Sequence, residues 1–524
     1  MNRLNTLSDA VATHARLRPH KTALRDSRRS LSFAQWHARS EKLAAGLLSL
    51  GLKKGDRVAL LAYNCIEWME IYAALARCGL VAVPLNFRLN TADIAYIAEH
   101  SQARAFIVQD ALRHLVEPLR QGALPTTPIW ISFGEAAQTH WHAYEDLIAA
   151  APPSVTPEAV LAQDMSALMY TSGTTGRPKG AIRSHEGSTL MALATALEMQ
   201  FSSADTALIV MPLCHANSLY FSHTFAHLGA CIVIDDSKSF QPEALMEKLA
   251  SQRVTFTSLV PTHYIMMLAL PEAVKARHDL RAVRKLMISS APARRETKLA
   301  IMACFPNSEL YELYGSTEAG WVTLLRPHEQ FERLGSVGRE WAGSGPIKLL
   351  DAQGSEVADG EVGELFSRTP YVFDGYWKNP EKTAEAFDGG WCSVGDMARR
   401  DEDGYIWLVD RKSNMIISGG ENVYPSEVEG AIGAHPAVKD VAVIGMPHEK
   451  WGESVHAVVV LHEGMQASEA EIRQWCRDRL AGFKCPSRVS FVADQDMPRT
   501  ATGKIIHRHL KNYFSDEERN LQTA

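Results

Sequence analysis

Short apolar runs alternate with helical patterns through much of the first four hundred residues. Runs of this length that are flanked by turn residues predict buried strands, and IEWMEIYAALARCG (66–79) after the first of them predicts a helix. The alternation favours an α/β fold whose parallel sheets are covered by helices, with ligands bound at the strand ends. The predicted strands are RVALLAYN (57–64), AFIVQD (105–110), ALIVMPL (207–213), CIVIDD (231–236) and KLMISS (285–290).

The pattern changes at about residue 330 to glycine-rich strand-and-turn sequence, which predicts a smaller β-rich lobe. After VDRKSN (409–414) a compact α+β segment begins. In it, VKDVAVIGMP and HAVVVLH predict strands, and SEAEIRQWCRDRL (468–480) predicts a helix that opens with a Ser468/Glu471 capping box. We therefore expect a large N-terminal domain over 1–411 and a small mobile C-terminal domain over 412–524.

Composition narrows the classes of partner. A chain of 524 residues exceeds one ordinary hydrophobic core, and its net charge of −6 provides no electrostatic footprint for nucleic acid. Its eight cysteines form no C-x-x-C pair, which argues against a zinc site and a disulfide framework. With no apolar signal-peptide core and no apolar run near the ~20 residues of a membrane span, we expect a cytoplasmic protein with small-molecule partners.

The segment YTSGTTGRPKG (170–180) has the chemistry of a phosphate-binding loop. Glycines let backbone N–H groups approach an anion, hydroxyls donate further hydrogen bonds, and Lys179 adds positive charge. The spacing is not that of the common P-loop, because G-x-x-x-x-G-K-[ST] is not satisfied. A surface linker of Gly, Ser and Thr remains the alternative when the segment is taken by itself.

Four further stretches carry candidate chemistry. SSAP (289–292) leaves room for a flat ring, and YELYGSTEAG (311–320) combines an aromatic residue, a threonine and a carboxylate. Asp396 and Arg411 flank turns in a β-rich stretch, and Lys504 follows a glycine-containing turn in PRTATGKIIHRHL (498–510). Taken singly, each is more typical of a turn or a solvated surface charge.

Their joint occurrence in this order resembles the adenylate-forming superfamily, which includes acyl- and aryl-CoA synthetases, luciferase-like enzymes and peptide-synthetase adenylation domains. The resemblance covers about residues 8 to 512. It implies an ATP-dependent, AMP-forming acyl-CoA ligase for a fatty or aromatic carboxylic acid, with ATP, Mg²⁺ and coenzyme A. The motifs that carry it are YTSGTTGRPKG, YGSTE, the GD before GYIWLVDRK, SGGENVYPSEVE (418–429) and PRTATGK.

The resemblance also implies roles for individual residues. Ala291 and Tyr314 would enclose adenine, Thr317 would contact the α-phosphate, and Glu318 would bind Mg²⁺. Asp396 and Arg411 would bind the ribose hydroxyls, Lys504 would touch the substrate carboxylate and the α-phosphate, and Gly420 would line the path of the pantetheine thiol. The β- and γ-phosphates of ATP would be held by Thr171, Ser172, Gly173, Thr174, Thr175, Gly176 and Lys179.

The implied chemistry has two steps. The carboxylate attacks the α-phosphorus to give acyl-AMP and pyrophosphate, and the CoA thiolate then attacks the acyl carbonyl and releases AMP. Lys504 is therefore the catalytic lysine, whereas Lys179 clamps the leaving pyrophosphate. Family members rotate the C-terminal domain between the steps, about a hinge two residues after Arg411. Relatives usually have Lys or Asp at that position, but here it is Ser413, which puts the usual charge-based stabilisation of the rotated state in doubt.

Substrate choice is expected in MPLCHANSLYFSHTF (211–225), in SSAP (289–292) and after YGSTE. The segment CHANS lacks the Asp that amino-acid-activating relatives use, which weighs against an amino acid. Trp321 shortens the expected pocket and favours a short, medium or ring-bearing acid, although a long-chain fatty acid stays open. Tyr220 and Trp321 are equally well explained as core packing. The candidate acid-pocket residues are His215, Asn217, Tyr220, His223, Ala319 and Trp321.

Other functions stay open at this point. An adenylation enzyme that loads a phosphopantetheine carrier protein is the main alternative. A non-catalytic adenylate-binding protein fits poorly with the presence of Glu318, Asp396, Arg411 and Lys504, and light production from a luciferin begins with the same adenylation. The sequence leaves a monomer and a homodimer both open.

Overall fold

The computed structural model describes residues 5–124, 128–134, 140–152, 157–171, 177–289, 293–418, 421–499 and 505–523. The chain divides into two compact units. The first consists of Met1–Ile347, Phe366–Val394 and Gly404–Ile406, and the second of Lys348–Leu365, Gly395–Asp403 and Trp407–Ala524.

The strands of the two main sheets lie in the first unit. In chain order they are β1 (Thr22–Arg25), β2 (Ser30–Ser32), β3 (Arg57–Leu61), β4 (Val81–Leu85), β5 (Ala103–Gln109), β6 (Ile129–Phe133), β7 (His142–Ala143), β8 (Met165–Thr171), β9 (Lys179–Ser184), β10 (Thr206–Ile209), β11 (Cys231–Ile234), β12 (Phe256–Leu259), β13 (Lys285–Ser289), β14 (Glu309–Ser316) and β15 (Gly320–Leu325). The β-rich stretch that follows contains β16 (Ile347–Leu350), β17 (Val362–Ser367), β18 (Phe387–Asp388), β19 (Trp391–Cys392), β20 (Asp396–Arg400) and β21 (Ile406–Arg411).

Helices cover these sheets. In the first unit they are α1 (Leu7–Leu17), α2 (Phe33–Ser49), α3 (Ile66–Cys78), α4 (Thr91–Ser101), α5 (Arg113–Pro118), α6 (Tyr144–Ala149), α7 (His185–Glu198), α8 (Ala216–Leu228), α9 (Pro242–Ser251), α10 (Pro261–Leu268), α11 (Glu272–Lys275), α12 (Arg295–Cys304) and α13 (Pro380–Ala386). Short 3₁₀ turns lie at Asp110–Leu112 and Pro327–Glu329.

Both main sheets are parallel except at their edges. One has the order β7-β6-β5-β3-β4-β8-β9, in which only the β8/β9 pair is antiparallel among the described strands. The other has the order β15-β14-β13-β12-β10-β11-β1-β2, with antiparallel pairs at β14/β15 and β1/β2. The prediction of an α/β fold with parallel sheets is confirmed, and each predicted run overlaps an observed strand.

One apolar cluster joins the two sheets of the first unit. It contains Val58 of β3 in one sheet and Ile232 of β11 in the other, together with Trp68 of α3 and Phe225 of α8, all of them buried. Nearly every residue of α3 is buried, as expected for a helix that packs on more than one side. The predicted helix at 66–79 is confirmed, and it ends at Gly79, which adopts the left-handed conformation that glycine favours at this position.

The second unit contains the predicted C-terminal α+β segment. Its elements are β22 (Ile416–Ser418), β23 (Glu421–Val423), α14 (Pro425–Gly433), β24 (Val438–His448), β25 (Gly452–Leu461), α15 (Glu469–Arg477), β26 (Arg488–Phe491) and α16 (His507–Thr523), with 3₁₀ turns at Gly482–Lys484 and Asp494–Asp496. Helix α15 begins with the predicted capping box, in which the Ser468 hydroxyl accepts from the Glu471 backbone N–H and the Glu471 carboxylate accepts from the Ser468 backbone N–H. Among the described residues, no helix has the length and apolar character needed to cross a bilayer.

A buried ion pair stabilises the strand that carries YGSTE. Lys298 of α12 lies 2.5 Å from the carboxylate of Glu312 on β14, and the two residues are 0% and 3% exposed. Burial raises the pKa of Glu312, and the positive charge of Lys298 opposes that rise. Removing either partner would therefore leave an uncompensated charge in the core, which is strongly destabilising.

We predict that Lys298→Met lowers the free energy of unfolding of the first unit by about 3–5 kcal/mol, because it leaves the Glu312 carboxylate buried and unpaired. The double variant Lys298→Met/Glu312→Leu should recover most of this loss, since no uncompensated charge remains. Urea unfolding followed by tryptophan fluorescence measures both. Arg281→Met, which breaks an exposed pair with Asp279, serves as the control. A double variant as unstable as the single one would contradict the prediction.

Candidate active site

Two of the sequence motifs lie at antiparallel hairpins that end the two main sheets. In the first, Thr171 at the end of β8 pairs with Lys179 at the start of β9, and Ser172, Gly173, Thr174, Thr175 and Gly176 between them lie outside the described residues. In the second, Ser316 pairs with Gly320, so Thr317 and Glu318 form the turn between β14 and β15. The two motifs, which are 145 positions apart from Thr171 to Ser316, thus occupy equivalent places at the edges of two sheets.

The Glu318 carboxylate connects the two hairpins. It is 7% exposed, and its Oε1 accepts hydrogen bonds from the Thr171 hydroxyl at 3.2 Å and the Tyr376 hydroxyl at 2.8 Å. The ammonium group of Lys179 lies 4.1 Å from the centre of the Tyr376 ring. The structure therefore brings Thr171, Lys179 and Glu318 together, with Tyr376 between the lysine and the carboxylate.

The carboxylate fits a magnesium ion that also binds substrate. Among the described residues, hydrogen bonds reach only one of the two Glu318 oxygens, which leaves the second for a ligand. The described part of the chain contains no cluster of three or more acidic, His or Cys side chains suited to holding a metal. Mg²⁺ commonly binds through one or two carboxylates together with phosphate oxygens and water, so a single buried Glu is an adequate protein ligand.

The residues predicted to enclose adenine are described only in part. Tyr314 lies on β14 opposite Thr323 of β15, three residues before Thr317. Ala291 lies outside the described residues, although Ser289 at the end of β13 is buried within reach of Ser258. The adenine role of Ala291 and Tyr314 therefore stays a prediction.

His215 and Asn217 lie at the start of α8, and Ala319 lies in the turn between β14 and β15. His215 caps the start of α8, and its Nε2 accepts from the Asn86 amide at 3.4 Å. Burial and the charge of Arg88 lower the pKa of His215 to about 4, so the ring is neutral at pH 7. The Asn217 Oδ1 is buried and has no partner among the described residues. A buried acceptor without a partner is uncommon in proteins, and the substrate role of Asn217 stays a prediction.

Tyr220 and Trp321 pack against each other in the core. Their rings meet edge to face at 5.5 Å, and Phe221 lies 5.6 Å from the same indole. The Trp321 Nε1–H donates to the Thr195 hydroxyl at 3.1 Å, which satisfies the only polar atom of the side chain. Both residues are at least 94% buried, in agreement with the core-packing alternative, yet Trp321 follows Glu318 by only three residues.

His223 lies in a separate internal cavity. The cavity has room for about one water molecule and is lined by Tyr72, His185, Ser188, His223 and His227, among others. Both ring nitrogens of His223, the His185 Nε2 and the Tyr72 hydroxyl have no hydrogen-bond partner among the described residues. Burial lowers the pKa of His223 to about 3 and that of His185 to about 4.

The predicted ribose-binding pair lies in the second unit. Asp396 begins β20 and is 8% exposed, and the Arg411 guanidinium lies 3.1 Å from its carboxylate. Next to Arg411, the Asp410 carboxylate accepts from the backbone N–H of Ser426 at the start of α14, at 2.8 Å. Ser413 is exposed in the following turn. Gly420 and Lys504 lie outside the described residues, so their roles stay predictions.

Sequence reasoning missed two residues at the centre of this arrangement. Tyr376 lies in TPYVFDGYW (369–377), where the proline and glycine indicate only turns, yet Ala181 of β9 bridges to it in antiparallel fashion. Arg183 of β9 is 1% exposed and donates to the backbone carbonyls of Thr317 and Glu318 at 3.3 and 3.2 Å. The one indication in the sequence was that Arg183 stands among apolar and small residues in GAIRS (180–184).

Comparison with known proteins agrees with this geometry. The AMP-binding enzyme family matches residues 11–377, and the AMP-binding enzyme C-terminal domain matches residues 427–504. Feruloyl-CoA synthase of Amycolatopsis sp is 37% identical over 502 residues, which cover 95% of this chain and 97% of that protein. The fatty acid–[acyl-carrier-protein] ligase ScoC of Streptomyces coeruleorubidus is 33% identical over 522 residues, covering 98% and 97%. The structure of the anthranilate CoA ligase AuaEII with anthranoyl-AMP superposes with a TM-score of 0.87 at 28% identity and covers 99% of each chain.

The chain therefore belongs to the AMP-binding enzyme family, the adenylate-forming superfamily that its motifs predicted. The prediction of enzyme class, an acyl-CoA synthetase, is confirmed as well, since CoA ligases match the chain at 33–37% identity over nearly its whole length.

The histidine cavity predicts a pH-dependent stability. His223 titrates near pH 6.5 in the unfolded chain and near pH 3 in the folded protein. Below pH 6.5 the unfolded chain binds a proton that the folded protein does not, so stability is present above pH 6.5 and is lost as the pH falls toward 3. We expect His223→Gln to reduce this loss by up to about 1.4 kcal/mol for each pH unit.

Urea unfolding of both proteins at pH 7 and pH 5 measures the effect. His20→Gln replaces an exposed histidine and is the matched control. An unfolding free energy that depends on pH equally in His223→Gln and in the parent protein would refute the prediction.

Proposed function

We propose that this protein is an ATP-dependent, AMP-forming ligase that activates a fatty or aromatic carboxylic acid as acyl-AMP and transfers the acyl group to coenzyme A. The observation that carries the proposal is the meeting of Thr171, Lys179 and Glu318 at the two hairpins. A hydroxyl, a cation and a carboxylate are suitable protein partners for a magnesium–nucleotide complex.

Each of these charged residues is proposed to contact a different part of the nucleotide. Lys179 follows the glycine- and hydroxyl-rich loop and is placed to clamp the β- and γ-phosphates, which leave as pyrophosphate. Magnesium held by Glu318 would supply stabilisation of the negative charge on the phosphates. Asp396 and Arg411 are proposed for the ribose hydroxyls, for which the buried, oriented Asp396 carboxylate is a suitable acceptor.

The first step follows from the poor reactivity of a carboxylate. Its leaving group would be oxide, so the acid must attack the α-phosphorus and expel pyrophosphate, and negative charge grows on the α-phosphoryl oxygens. We propose that the Thr317 hydroxyl donates a hydrogen bond to these oxygens and that Lys504 supplies a positive charge beside them. In the second step the CoA thiolate attacks the acyl carbonyl and forms the thioester C–S bond. The bond between the acyl carbon and the phosphate oxygen of the mixed anhydride breaks, and AMP leaves with that oxygen.

Lys504 and the entering thiol require the same space, so the proposal includes a rotation of the C-terminal domain about the segment after Arg411. Asp410 anchors that segment to the start of α14 through Ser426. Ser413 brings no charge to the hinge, so any stabilisation of the rotated state has to come from other contacts.

For the acid, we propose a compact or ring-bearing substrate. Trp321, Tyr220 and Phe221 form a rigid aromatic wall close behind the Glu318 turn, which limits the depth available to an acyl chain. Neutral His215 and the Asn217 oxygen are suited to a polar ring substituent. Aryl substrates are named for two similar proteins, feruloyl-CoA synthase and the anthranilate CoA ligase, which supports this choice.

A carrier-protein-loading enzyme is the second candidate. It is favoured by one observation, the 33% identity to a fatty acid–[acyl-carrier-protein] ligase over 98% of the chain. The adenylation step is the same in both candidates, and only the thiol that accepts the acyl group differs.

The decisive measurement is pyrophosphate release with a panel of ferulic, anthranilic, short-chain and long-chain fatty acids, with and without CoA. We expect release with at least one acid and conversion to the CoA thioester, with a compact or ring-bearing acid preferred. Release that only a phosphopantetheine carrier protein converts into product would replace the leading proposal with the second. No release with any acid would refute both.

We further predict that Lys504→Ala lowers acyl-AMP formation by about 100- to 1,000-fold, since it removes the cation beside the developing charge. Thioester formation from supplied acyl-AMP and CoA should be largely spared. Lys511→Ala, on the exposed side of α16 where it pairs with Glu453, is the matched control. Equal losses in both half-reactions would show that the two-conformation assignment of Lys504 is wrong.

A further inference from the structure

Arg183 is a buried cation with an unusual set of partners. It lies on β9 four residues after Lys179 and is 1% exposed. One terminal nitrogen donates to the Thr317 and Glu318 carbonyls, and the other donates to the Tyr371 carbonyl at 2.6 Å. Arginine is almost never this buried without a strong set of acceptors, so these contacts are what keep the charge in the core.

No carboxylate lies within ion-pair distance of Arg183 among the described residues, although the charge of Arg183 opposes the rise that burial causes in the pKa of Asp374. The guanidinium group is held by three backbone carbonyls, and the centre of the Tyr220 ring lies 5.4 Å from the guanidinium carbon. Its Nε is buried without a partner in the described part of the chain. Arg183 therefore acts on backbone groups, and its function is not that of a conventional salt bridge.

These backbone groups belong to the turn that presents Thr317 and Glu318. Because one nitrogen holds two successive carbonyls, neither peptide plane of the turn can rotate without losing a charge-assisted hydrogen bond. A second segment supports the turn from the same side, since the Phe373 N–H donates to the Glu318 carbonyl at 2.7 Å and the Thr369 hydroxyl donates to the Ala319 carbonyl at 2.5 Å. Arg183 also holds that segment, through the Tyr371 carbonyl.

We propose that Arg183 is a positioning residue for adenylation, which fixes the Thr317–Glu318 turn of one sheet against the phosphate-binding hairpin of the other. Its strand carries Lys179, and its side chain reaches the turn, so one residue sets the distance between the pyrophosphate clamp and the proposed magnesium ligand. This inference rests on the proposed function.

The guanidinium group is required for geometric reasons. Its planar fork reaches three carbonyls from two directions, whereas the single nitrogen of lysine reaches fewer of them from a shorter side chain. Positioning errors near 1 Å at a reacting centre can cost about 100-fold in rate. Thioester formation still uses the proposed Thr317 contact to the α-phosphate, but it uses neither the pyrophosphate clamp nor the magnesium ligand, so it should be much less sensitive to the same error.

The test compares Arg183→Gln and Arg183→Lys with Arg113→Gln, which removes another buried arginine of the first unit, on α5 beside Ser132. Acyl-AMP formation is measured with an acid that the parent protein activates, and thioester formation is measured from supplied acyl-AMP and CoA. We expect adenylation to fall about 100-fold in Arg183→Gln and less in Arg183→Lys, with the magnesium concentration at half-maximal rate raised. Thioester formation should change by less than about threefold in both, and Arg113→Gln should affect the two half-reactions equally.

Equal losses of the two half-reactions in the Arg183 variants, or an adenylation rate no lower than that of Arg113→Gln at the same folded fraction, would overturn the inference. If Arg183→Gln does not fold, Arg183→Lys decides by the same comparison. A parent protein that forms no acyl-AMP with any acid overturns the proposed function. An active parent protein whose Arg183 variants lose both half-reactions equally overturns the inference alone.

Discussion

Two hairpins that belong to different sheets have to be held at a fixed separation, and the site depends on that constraint. The chain between them, from the end of β9 at Ser184 to the start of β14 at Glu309, contains 124 residues. The connection is made instead by side chains, from Arg183 to the carbonyls of the Glu318 turn and from the Thr171 hydroxyl to the Glu318 carboxylate. These are polar contacts in a buried setting, where hydrogen bonds with a charged partner are strong and their loss is costly.

The arrangement of the residues by unit suits a reaction in two steps. The phosphate-binding hairpin, Tyr314 and the Glu318 turn belong to the first unit, whereas Asp396, Arg411 and the segment containing Lys504 belong to the second. The contacts of Glu318 and Arg183 described above are all made within the first unit, so they do not depend on the second. Under the proposed function, the proposed pyrophosphate-binding geometry would therefore be kept while the C-terminal domain rotates.

The sequence was sufficient for features that depend on local pattern. The strands at 57–64 and 285–290, helix α3 and the capping box at Ser468 follow from periodicity and short-range hydrogen bonds. Arg183 and Tyr376 could not be found in this way, because their partners lie more than fifty residues away and polar residues in turns and strands usually face solvent. His223, which lies in the expected acid-binding segment, lines a small cavity beside Tyr72, and its local sequence does not indicate these neighbours.

The pairing of Thr171 with Lys179 has a consequence for how much the loop between them can change. The two residues are cross-strand neighbours in a ladder that continues to Met165 and Ser184, so the sheet itself brings the ends of the loop together. The entropy lost on closing the loop is therefore lost during folding, and nucleotide binding does not have to offset it. If the loop binds phosphate as proposed, substitutions within 172–178 would alter the affinity for the anion without moving Lys179, and binding strength and architecture would vary independently in this part of the protein.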